Sequence, residues 1–223
     1  MNYLDILAYI KPDKKIFTEE AKQLESTIEK LGEKLSSFAN PDFEKLTRAR
    51  ILASNTHLKE QSSLQKWDAA NATLAEFISQ ESPLLEIFQG INQSLTDSQS
   101  ELRDHRIFTC DEEYLEPEHV PAAVETLKGY SEGFLKNSPL AFGFYLYLWG
   151  VTVHPFENGN GRTARLLGDY KLIQNGFLPM CFQSPVYSHV AITYNGRHRN
   201  IEGSYLKFLG AVINSYEIVM GKA

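Results

Sequence analysis

The sequence predicts an all-α fold with one small β-hairpin, and three observations support this assignment. Apolar residues recur at steps of three and four through most of the first half, as in amphipathic helices. A nearly continuous apolar run precedes His154, which predicts a helix buried on every side. Between these regions, HRIFTC at 105–110 has the β-branched and aromatic character of a short strand within a segment rich in helix breakers.

Helix boundaries follow from local signals. Thr18 precedes the first amphipathic helix, which NPD at 40–42 ends, and its apolar face consists of Leu24, Ile28, Leu31, Leu35 and Phe38. Ser138 is a good N-cap with Pro139 at the first helical position, and Gly176 is in the position expected to terminate a later helix. The predicted helices cover about 18–39, 43–61, 64–78, 83–95, 121–136, 138–153, 162–174 and 204–220.

Composition narrows the function classes. A net charge of -6 and the absence of any Lys/Arg run longer than two argue against nucleic acid as a partner. Cys110 and Cys181 form no CxxC motif and no framework of pairs, so a reducing, cytoplasmic location is predicted. Gly143 and Gly150 interrupt the apolar run before His154, which is short for a membrane span, so no membrane anchor is expected.

The stretch HPFENGNGRTAR at 154–165 concentrates groups that bind and react with an anion. Its segment 158–161 is flexible enough to turn several backbone N–H groups one way, and it leads into a helix N-terminus with positive partial charge. Arg162 and Arg165 on the first turn of that helix add donors, which suits a di- or triphosphate chain. His154 is the natural base for a hydroxyl attacking this chain, so the loop predicts phosphoryl or nucleotidyl transfer. No GxxxxGK[ST] motif occurs, which excludes a P-loop.

On these residues the sequence resembles the Fic family, whose motif is approximately HPFx[D/E]GNGRxxR, and it departs from that motif at one fixed position. SELRDHRIFT is similar to the family's flap, and EPEHVPAAVETL to the turn and helix that follow it. The resemblance covers about 84–215 and implies a helical Fic core with a β-hairpin flap. The implied organisation is an N-terminal helical lobe at 1–82 and a Fic core at 83–223, with the flap near 103–110 and the active-site loop at 154–165.

The resemblance also implies the activity, which is usually transfer of AMP from ATP to a Ser, Thr or Tyr hydroxyl of a target protein, with His154 as general base. The residues implied to bind the nucleotide are Gly159, Asn160, Gly161, Arg162, Arg165, Tyr194 and Asn195. Arg165 would hold the γ-phosphate, and Asn160 would line an anion hole around the transferred phosphate. The flap residues implied to pair with the target's backbone as an added strand are Ile107, Phe108 and Thr109.

Two further positions bear on metal binding and control. Asn158 stands where family members usually have Asp or Glu to bind Mg²⁺, and a neutral amide oxygen is a weaker ligand for this ion. THLKEQ at 56–61 is similar to an inhibitory pattern, [S/T]xxxE[G/N], apart from Gln61. The pattern implies that Glu60 pairs with Arg165 and keeps the γ-phosphate out; the alternative is that Glu60 is an ordinary glutamate on a helix surface.

The leading prediction is therefore a cytoplasmic Fic-type protein adenylyltransferase that uses ATP and Mg²⁺. Two alternatives stay open. One is a Fic-fold transferase of another group, such as UMP, phosphoryl or phosphocholine. The other is a catalytically weak nucleotide-binding interaction module marked by Asn158, against which stands the intact His154. The oligomeric state, monomer or homodimer, is also left open.

Overall fold

The computed structural model describes residues 8–54, 61–80, 82–109, 112–131, 133–182 and 200–222. Within these ranges nearly all regular structure is helical, which confirms the predicted all-α class for this part of the chain. The α-helices are α1 (Glu19–Ser36), α2 (Phe43–Ser54), α3 (Gln61–Ile78), α4 (Leu84–Thr96), α5 (Val120–Glu125), α6 (Pro139–Val153), α7 (Asn160–Gln174) and α8 (Ile201–Val219). Short 3₁₀ helices lie at Lys14–Ile16, Pro117–His119, Thr126–Ser131 and Gly133–Asn137.

The strands β1 (Phe108–Thr109) and β2 (Glu112–Glu113) form one antiparallel pair of two residues each. The pair is much shorter than the predicted flap, since residues 103–107 form no strand. A flap that extends over 103–110 therefore stays a prediction.

Helix α1 begins where the sequence predicts. Thr18 Oγ1 accepts a hydrogen bond from the Ala21 N–H at 3.1 Å, which satisfies one of the N–H groups that has no partner within the helix. The predicted apolar face packs on the core and against α8. There the Tyr205 hydroxyl donates to the Glu25 carboxylate, so the N-terminal helices are joined to the last helix by a polar contact as well as by apolar packing.

Helix α6 is the central element, as predicted, because all its residues except Pro139 and Val151 are buried. Helix α7 packs along it at close range. An ideal Cβ built on Gly150 would lie 2.7 Å from Ala164 Cβ and 2.8 Å from the Phe88 ring. The missing side chain at Gly150 lets α6 and α7 approach each other at the end of α6 nearest His154.

The predicted helix at 121–136 is wrong as a continuous α-helix. Its α-helical part, α5, ends at Glu125, and the chain continues as 3₁₀ turns. The Trp149 indole N–H donates to Ala123 O at 3.1 Å and to Thr126 Oγ1 at 3.2 Å, so a side chain from α6 takes up a carbonyl at the end of α5. Gly133, with φ at +64°, then turns the chain in a way that no regular helix accommodates.

Two other predicted helix starts need correction, and one predicted N-cap lacks its expected hydrogen bond. Ser138 occupies the N-cap position of α6 but makes no capping side-chain hydrogen bond. Helix α7 starts at Asn160 rather than 162, because Gly159 with φ at +78° already acts as its N-cap. Helix α8 starts at Ile201 rather than 204, because Asn200 Oδ1 accepts the Gly203 N–H at 2.8 Å. Gly176, with φ at +79°, lies just beyond α7 as predicted.

Buried side chains from both sides of the predicted boundary at 82/83 belong to one hydrophobic cluster. Trp67 of α3 and Phe88 of α4 are in this cluster together with Trp149 of α6 and Phe208 of α8. The boundary itself falls in the turn between α3 and α4. The division into a lobe and a core stays a prediction about organisation.

Candidate active site

His154 follows the last residue of α6 in a left-handed backbone conformation, with φ at 50° and ψ at 62°. This conformation costs an L-residue roughly 1–2 kcal/mol, so neighbouring groups must hold it. The His154 N–H donates to Gly150 O at 3.2 Å, and the His154 carbonyl accepts from Arg103 Nε at 2.6 Å. The chain therefore leaves the central helix in a turn that is hydrogen-bonded through both the N–H and the carbonyl of His154.

Arg103 anchors the segment of the predicted flap against this turn. Its side chain is buried, and the guanidinium donates to the carbonyls of His105, at 2.8 Å, and Leu115 as well as to His154. The Arg103 backbone N–H also donates to Pro155 O at 2.9 Å. Because a guanidinium carries five N–H donors and no acceptor, one side chain is able to tie three carbonyls from separate segments together.

The imidazole of His154 is held in the protonation form that a general base needs. Nδ1 lies 3.0 Å from Val151 O, and since a carbonyl only accepts, Nδ1 carries the proton and Nε2 keeps its lone pair. The Tyr114 ring stacks on the imidazole with 3.8 Å between centroids and 22° between planes. Burial lowers the pKa of His154 to about 4; the bond to Val151 opposes this shift and the charge of Arg103 adds to it. The imidazole is therefore neutral at pH 7.

The loop after His154 closes on itself through Phe156 and Asn160. The Phe156 ring is buried and stacks on Phe88 with 5.4 Å between centroids. The Phe156 N–H donates to Asn160 Oδ1 at 2.9 Å, and Asn160 Nδ2 donates to Phe156 O at 2.7 Å. Both polar atoms of the Asn160 side chain thus take part in holding the loop, and its part in anion binding stays a prediction.

Position 159 requires glycine for two reasons, its backbone conformation and the lack of space for a side chain. Its φ of +78° is in the left-handed region, and an ideal Cβ there would lie 2.7 Å from Thr96 Cγ2 and 2.9 Å from Asn92 Nδ2. Asn92 is a buried residue of α4 whose Nδ2 donates to Asn158 O and to Thr163 Oγ1, both at 2.9 Å. Helix α4 therefore supports the loop from behind through polar contacts.

The N-terminus of α7 follows this loop. The N–H groups of residues 160–162 precede the first helical bond, from the Thr163 N–H to Gly159 O at 2.9 Å, so no helix carbonyl is available to them. Such an end carries positive partial charge and binds anions. Arg162 is half-buried on the first turn, as predicted. Arg165, predicted on the first turn, lies on the second turn because α7 starts at Asn160. The residue is 9% exposed.

A buried ion pair lies beside Arg165. Asp169 of α7 is fully buried; its Oδ2 bonds to the guanidinium of Arg50 in α2, and its Oδ1 accepts the Met180 N–H at 2.8 Å. Burial raises the pKa of Asp169 to about 6 and Arg50 opposes the rise, so the carboxylate is charged at pH 7. Arg50 and Arg165 line the same small cavity. The pair connects an N-terminal helix to the helix that carries both loop arginines.

The predicted Mg²⁺ position is a poor fit to the residues that the structure describes around it. Asn158 is exposed, and its Oδ1 accepts the Gly159 N–H at 2.6 Å. The neighbouring Glu157 is exposed as well. In the described ranges, no three His, Cys, Asp or Glu side chains are grouped so as to hold a metal ion. A single neutral amide oxygen that already accepts a hydrogen bond does not make a protein-built site for a hard dication.

The remaining predicted residues are not part of the 154–165 loop. Glu60, Tyr194 and Asn195 fall outside the described residues. Ile107 is half-buried directly before β1, and the backbone of Phe108 and Thr109 forms β1. The predicted adenine contacts and the predicted inhibitory contact therefore stay predictions.

Three residues of the site were not predicted as functional from the sequence. Arg103 belongs to SELRDHRIFT, which was matched to the flap, but its role as an anchor was not foreseen. Asn92 had a usable signal, because it lies four positions after Phe88 on the buried face of α4, where a polar residue needs a partner. Tyr114 had none, since its contact with His154 joins residues that are far apart in the chain.

A model of the Fic/DOC family matches residues 79–172, which include the whole 154–165 loop. The chain carries a Fic/DOC-family domain. A comparison with curated protein sequences found no match. The structure, however, is similar to solved Fic structures over most of its length.

Three of these solved structures illustrate the likeness. A Fic family protein from Desulfovibrio desulfuricans G20 has a TM-score of 0.69 and 16% identity, over 90% of this chain and 74% of that chain. Fic-1 (aa134–508) from C. elegans has a TM-score of 0.65 and 15% identity, over 90% and 72%. IbpAFic2 covalently tethered to Cdc42 has a TM-score of 0.61 and 17% identity, over 92% and 71%. At these identities the likeness shows the fold, and it extends beyond the Fic domain into the N-terminal helices.

No helix among the described residues combines the length and the apolar character needed to cross a membrane. Within the described ranges, one candidate site lies in the part of the chain that matches the Fic/DOC family: His154, the N-terminus of α7 and two arginines follow one another there. This site is the 154–165 loop with its supports from Asn92, Arg103 and Tyr114.

Proposed function

We propose that this Fic domain is a protein adenylyltransferase that transfers AMP from ATP to a Ser, Thr or Tyr hydroxyl of a target protein. The observation that carries the proposal is the state of His154: its imidazole is neutral, with the proton fixed on Nδ1 and the lone pair on Nε2. This base directly precedes the N-terminus of α7, which favours anions, and the two loop arginines. A module that only binds nucleotide has no need for a base in this form.

The residues act in one displacement step. The hydroxyl oxygen of the target forms a bond to the α-phosphorus of ATP, the bond from that phosphorus to the bridging oxygen breaks, and pyrophosphate leaves. His154 Nε2 takes the proton of the attacking hydroxyl. The N–H groups of residues 160–162 would hold oxygens of the transferred phosphate, and the guanidinium groups of Arg162 and Arg165 would hold the leaving phosphates.

The proposed acceptor is a protein that docks along the flap segment. The fold neighbour IbpAFic2 has been crystallised tethered to Cdc42, which supports a protein as acceptor. The backbone of β1 is a short edge that an extended target segment would continue as an added strand. In this proposal Ile107, Phe108 and Thr109 present the target backbone so that its hydroxyl reaches His154.

Mass spectrometry of a cell lysate incubated with the protein and ATP tests the proposal most directly. The expected result is a gain of one AMP on Ser, Thr or Tyr side chains, present with the wild-type protein and absent with His154→Ala. Parallel incubations with labelled UTP, ATP carrying a γ-phosphate label, and CDP-choline separate the rival transferred groups. Transfer of another group, with no AMP gain, would replace the proposed reaction while keeping the base.

A second candidate function, binding of nucleotide with little turnover, is favoured by Asn158, whose amide oxygen is neutral and already accepts a hydrogen bond.

Mg²⁺ as a cofactor stays a prediction. We expect Asn158→Asp to lower the Mg²⁺ concentration that gives half-maximal activity, because a carboxylate is a stronger ligand for this ion. A magnesium titration of the transfer rate in wild type and variant checks this. An unchanged midpoint would mean that Asn158 is not the metal position.

The acid limit of the reaction should lie well below the ordinary pKa of histidine. Because the pKa of His154 is lowered to about 4, the base stays neutral across the range in which a free imidazole becomes charged. We expect kcat/KM to be nearly flat from pH 8 to about pH 5 and to fall only as the pH approaches 4. A pH–rate profile checks this, and a midpoint near 6.5 would show an imidazole exposed to water.

The same shift affects folding stability. The unfolded chain takes up the His154 proton near pH 6.5 and the folded chain only near pH 4, so this residue's contribution to stability is present above 6.5 and is lost as the pH falls towards 4. Circular dichroism at each pH of the profile separates loss of fold from protonation of the base.

The remaining predictions concern residues and properties outside the site described above. Inhibition by Glu60, adenine contacts from Tyr194 and Asn195, a homodimer and a cytoplasmic location are proposed on the sequence resemblance and composition alone. Glu60→Gly is expected to raise self-modification and target modification together if the inhibitory contact to Arg165 exists. An unchanged rate would leave 56–61 as packing only.

A further inference from the structure

The orientation of the His154 ring depends on two contacts of different kinds. The hydrogen bond from Nδ1 to Val151 O, at 3.0 Å, acts in the plane of the ring and selects which nitrogen carries the proton. The Tyr114 ring lies against one face at 3.8 Å between centroids, which is van der Waals contact over the whole imidazole. A single in-plane bond resists a flip of the ring weakly, whereas a stacked neighbour also fixes the plane itself.

We infer that Tyr114 is a positioning residue for the base: its stacked ring holds the His154 imidazole in the orientation in which Nδ1 bonds to Val151 and Nε2 is left to accept a proton. That Nε2 accepts the proton of a target hydroxyl rests on the function proposed above. The stacking contact and its effect on the imidazole do not depend on that function.

The backbone places Tyr114 at this position through Arg103. The residue next to Tyr114 is Leu115, whose carbonyl accepts a hydrogen bond from the Arg103 guanidinium. The same guanidinium donates to the His154 carbonyl at 2.6 Å. The buried Arg103 side chain therefore holds the backbone at His154 and next to Tyr114, so the contact between the two rings follows from the fold.

Loss of the Tyr114 ring should therefore change the base without unfolding the site. In Tyr114→Ala the Arg103 bonds remain, since they involve backbone carbonyls, but the imidazole gains a free face and its ring becomes able to flip between two orientations. Misplacement of a catalytic group by about 1 Å can cost about 10²-fold in rate. We expect kcat to fall by about 10- to 100-fold with the KM for ATP nearly unchanged.

The imidazole ¹⁵N spectrum of the full-length protein at pH 7 gives a readout that needs no activity. The His154 signals are assigned among the six histidines by their loss in His154→Gln. Wild type and Tyr114→Phe, which keeps the ring, should both show a protonated Nδ1 and an unprotonated Nε2. Tyr114→Ala should shift both signals towards the averaged values of a free neutral imidazole. An unshifted spectrum in Tyr114→Ala would overturn the inference.

The matched control is Glu116→Gln, which lies in the same segment and pairs with Arg106 at 2.7 Å without contacting the imidazole. It should leave both the spectrum and kcat as in wild type, and an equal effect in this variant would mean that loss of order in the segment, not stacking, is responsible. Tyr114→Phe separates ring from hydroxyl: if it loses as much kcat as Tyr114→Ala, positioning by stacking is wrong. If no variant and no wild-type protein transfers AMP, yet Tyr114→Ala alone changes the spectrum, the proposed function fails and the positioning role stands.

Discussion

The His154→Ala variant is expected to lose AMP transfer while it keeps nucleotide binding. Removal of a general base typically costs about 10² to 10⁴ in rate. The proposed contacts to nucleotide phosphates come from the N–H groups of residues 160–162 and from the two loop arginines, none of which the substitution removes. Transfer is measured with labelled ATP and a protein acceptor, and binding of ATP by calorimetry.

His154 also has a structural part that the experiment must separate. Its backbone is left-handed, with φ at 50°, a conformation that alanine adopts less readily than histidine, so the alanine variant combines loss of the base with added strain in the turn. His154→Asn is the matched control, because asparagine adopts this conformation more readily and cannot act as a base. Both variants should lose transfer, and His154→Asn should unfold at nearly the wild-type temperature. Retained transfer in either variant would remove His154 from the role of base.

Asp169→Asn is expected to destabilise the fold by about 3–5 kcal/mol, the cost typical of breaking a buried ion pair by removing one partner. Asp169 is fully buried, and the Arg50 side chain that it neutralises is 10% exposed, so the substitution leaves a cation away from water. The Met180 N–H, which also bonds to Asp169, would lose a charged acceptor. Urea denaturation of wild type and variant measures the difference in the free energy of unfolding.

Two comparisons sharpen this measurement. Helix α2 offers a matched exposed pair, Arg48 with Glu44, whose side chains are each 74% exposed; Glu44→Gln should cost less than about 0.5 kcal/mol. The double variant Arg50→Met with Asp169→Leu should be less destabilised than the sum of the two single changes, because no buried charge is left unpaired. A cost for Asp169→Asn no greater than that for Glu44→Gln would mean that water reaches the pair.

Local signals were sufficient for much of the fold. Thr18 caps α1, Pro139 opens α6 and Gly176 follows α7, because capping, the fixed φ of proline and the positive φ of glycine act within a few residues of each helix end. The failure at 121–136 has a different cause. The indole N–H of Trp149, on α6, donates to the Ala123 carbonyl, and a contact between residues 26 apart cannot be read from the local pattern.

The candidate site likewise has features that the motif predicts and contacts that it does not. The motif at 154–165 predicted a base, a glycine loop and two arginines from residue types and spacing, and the structure places His154 at the end of α6 and Arg162 on the first turn of α7. The motif did not reveal that the Asn160 side chain bonds to the backbone of Phe156. Whether an amide side chain faces a ligand or its own loop depends on which backbone groups the turn leaves within reach.

The sequence by itself determined the helical class, the family resemblance and the choice of His154 as the candidate base, because each is encoded in short-range periodicity or in a contiguous motif. Only the tertiary structure decided how that base is held: Arg103 bonds its carbonyl, Tyr114 stacks on its ring, and Asp169 pairs with Arg50 across 119 positions of the chain. These contacts depend on how helices pack and which way each side chain then points. Such three-dimensional relations leave no regular spacing in the sequence.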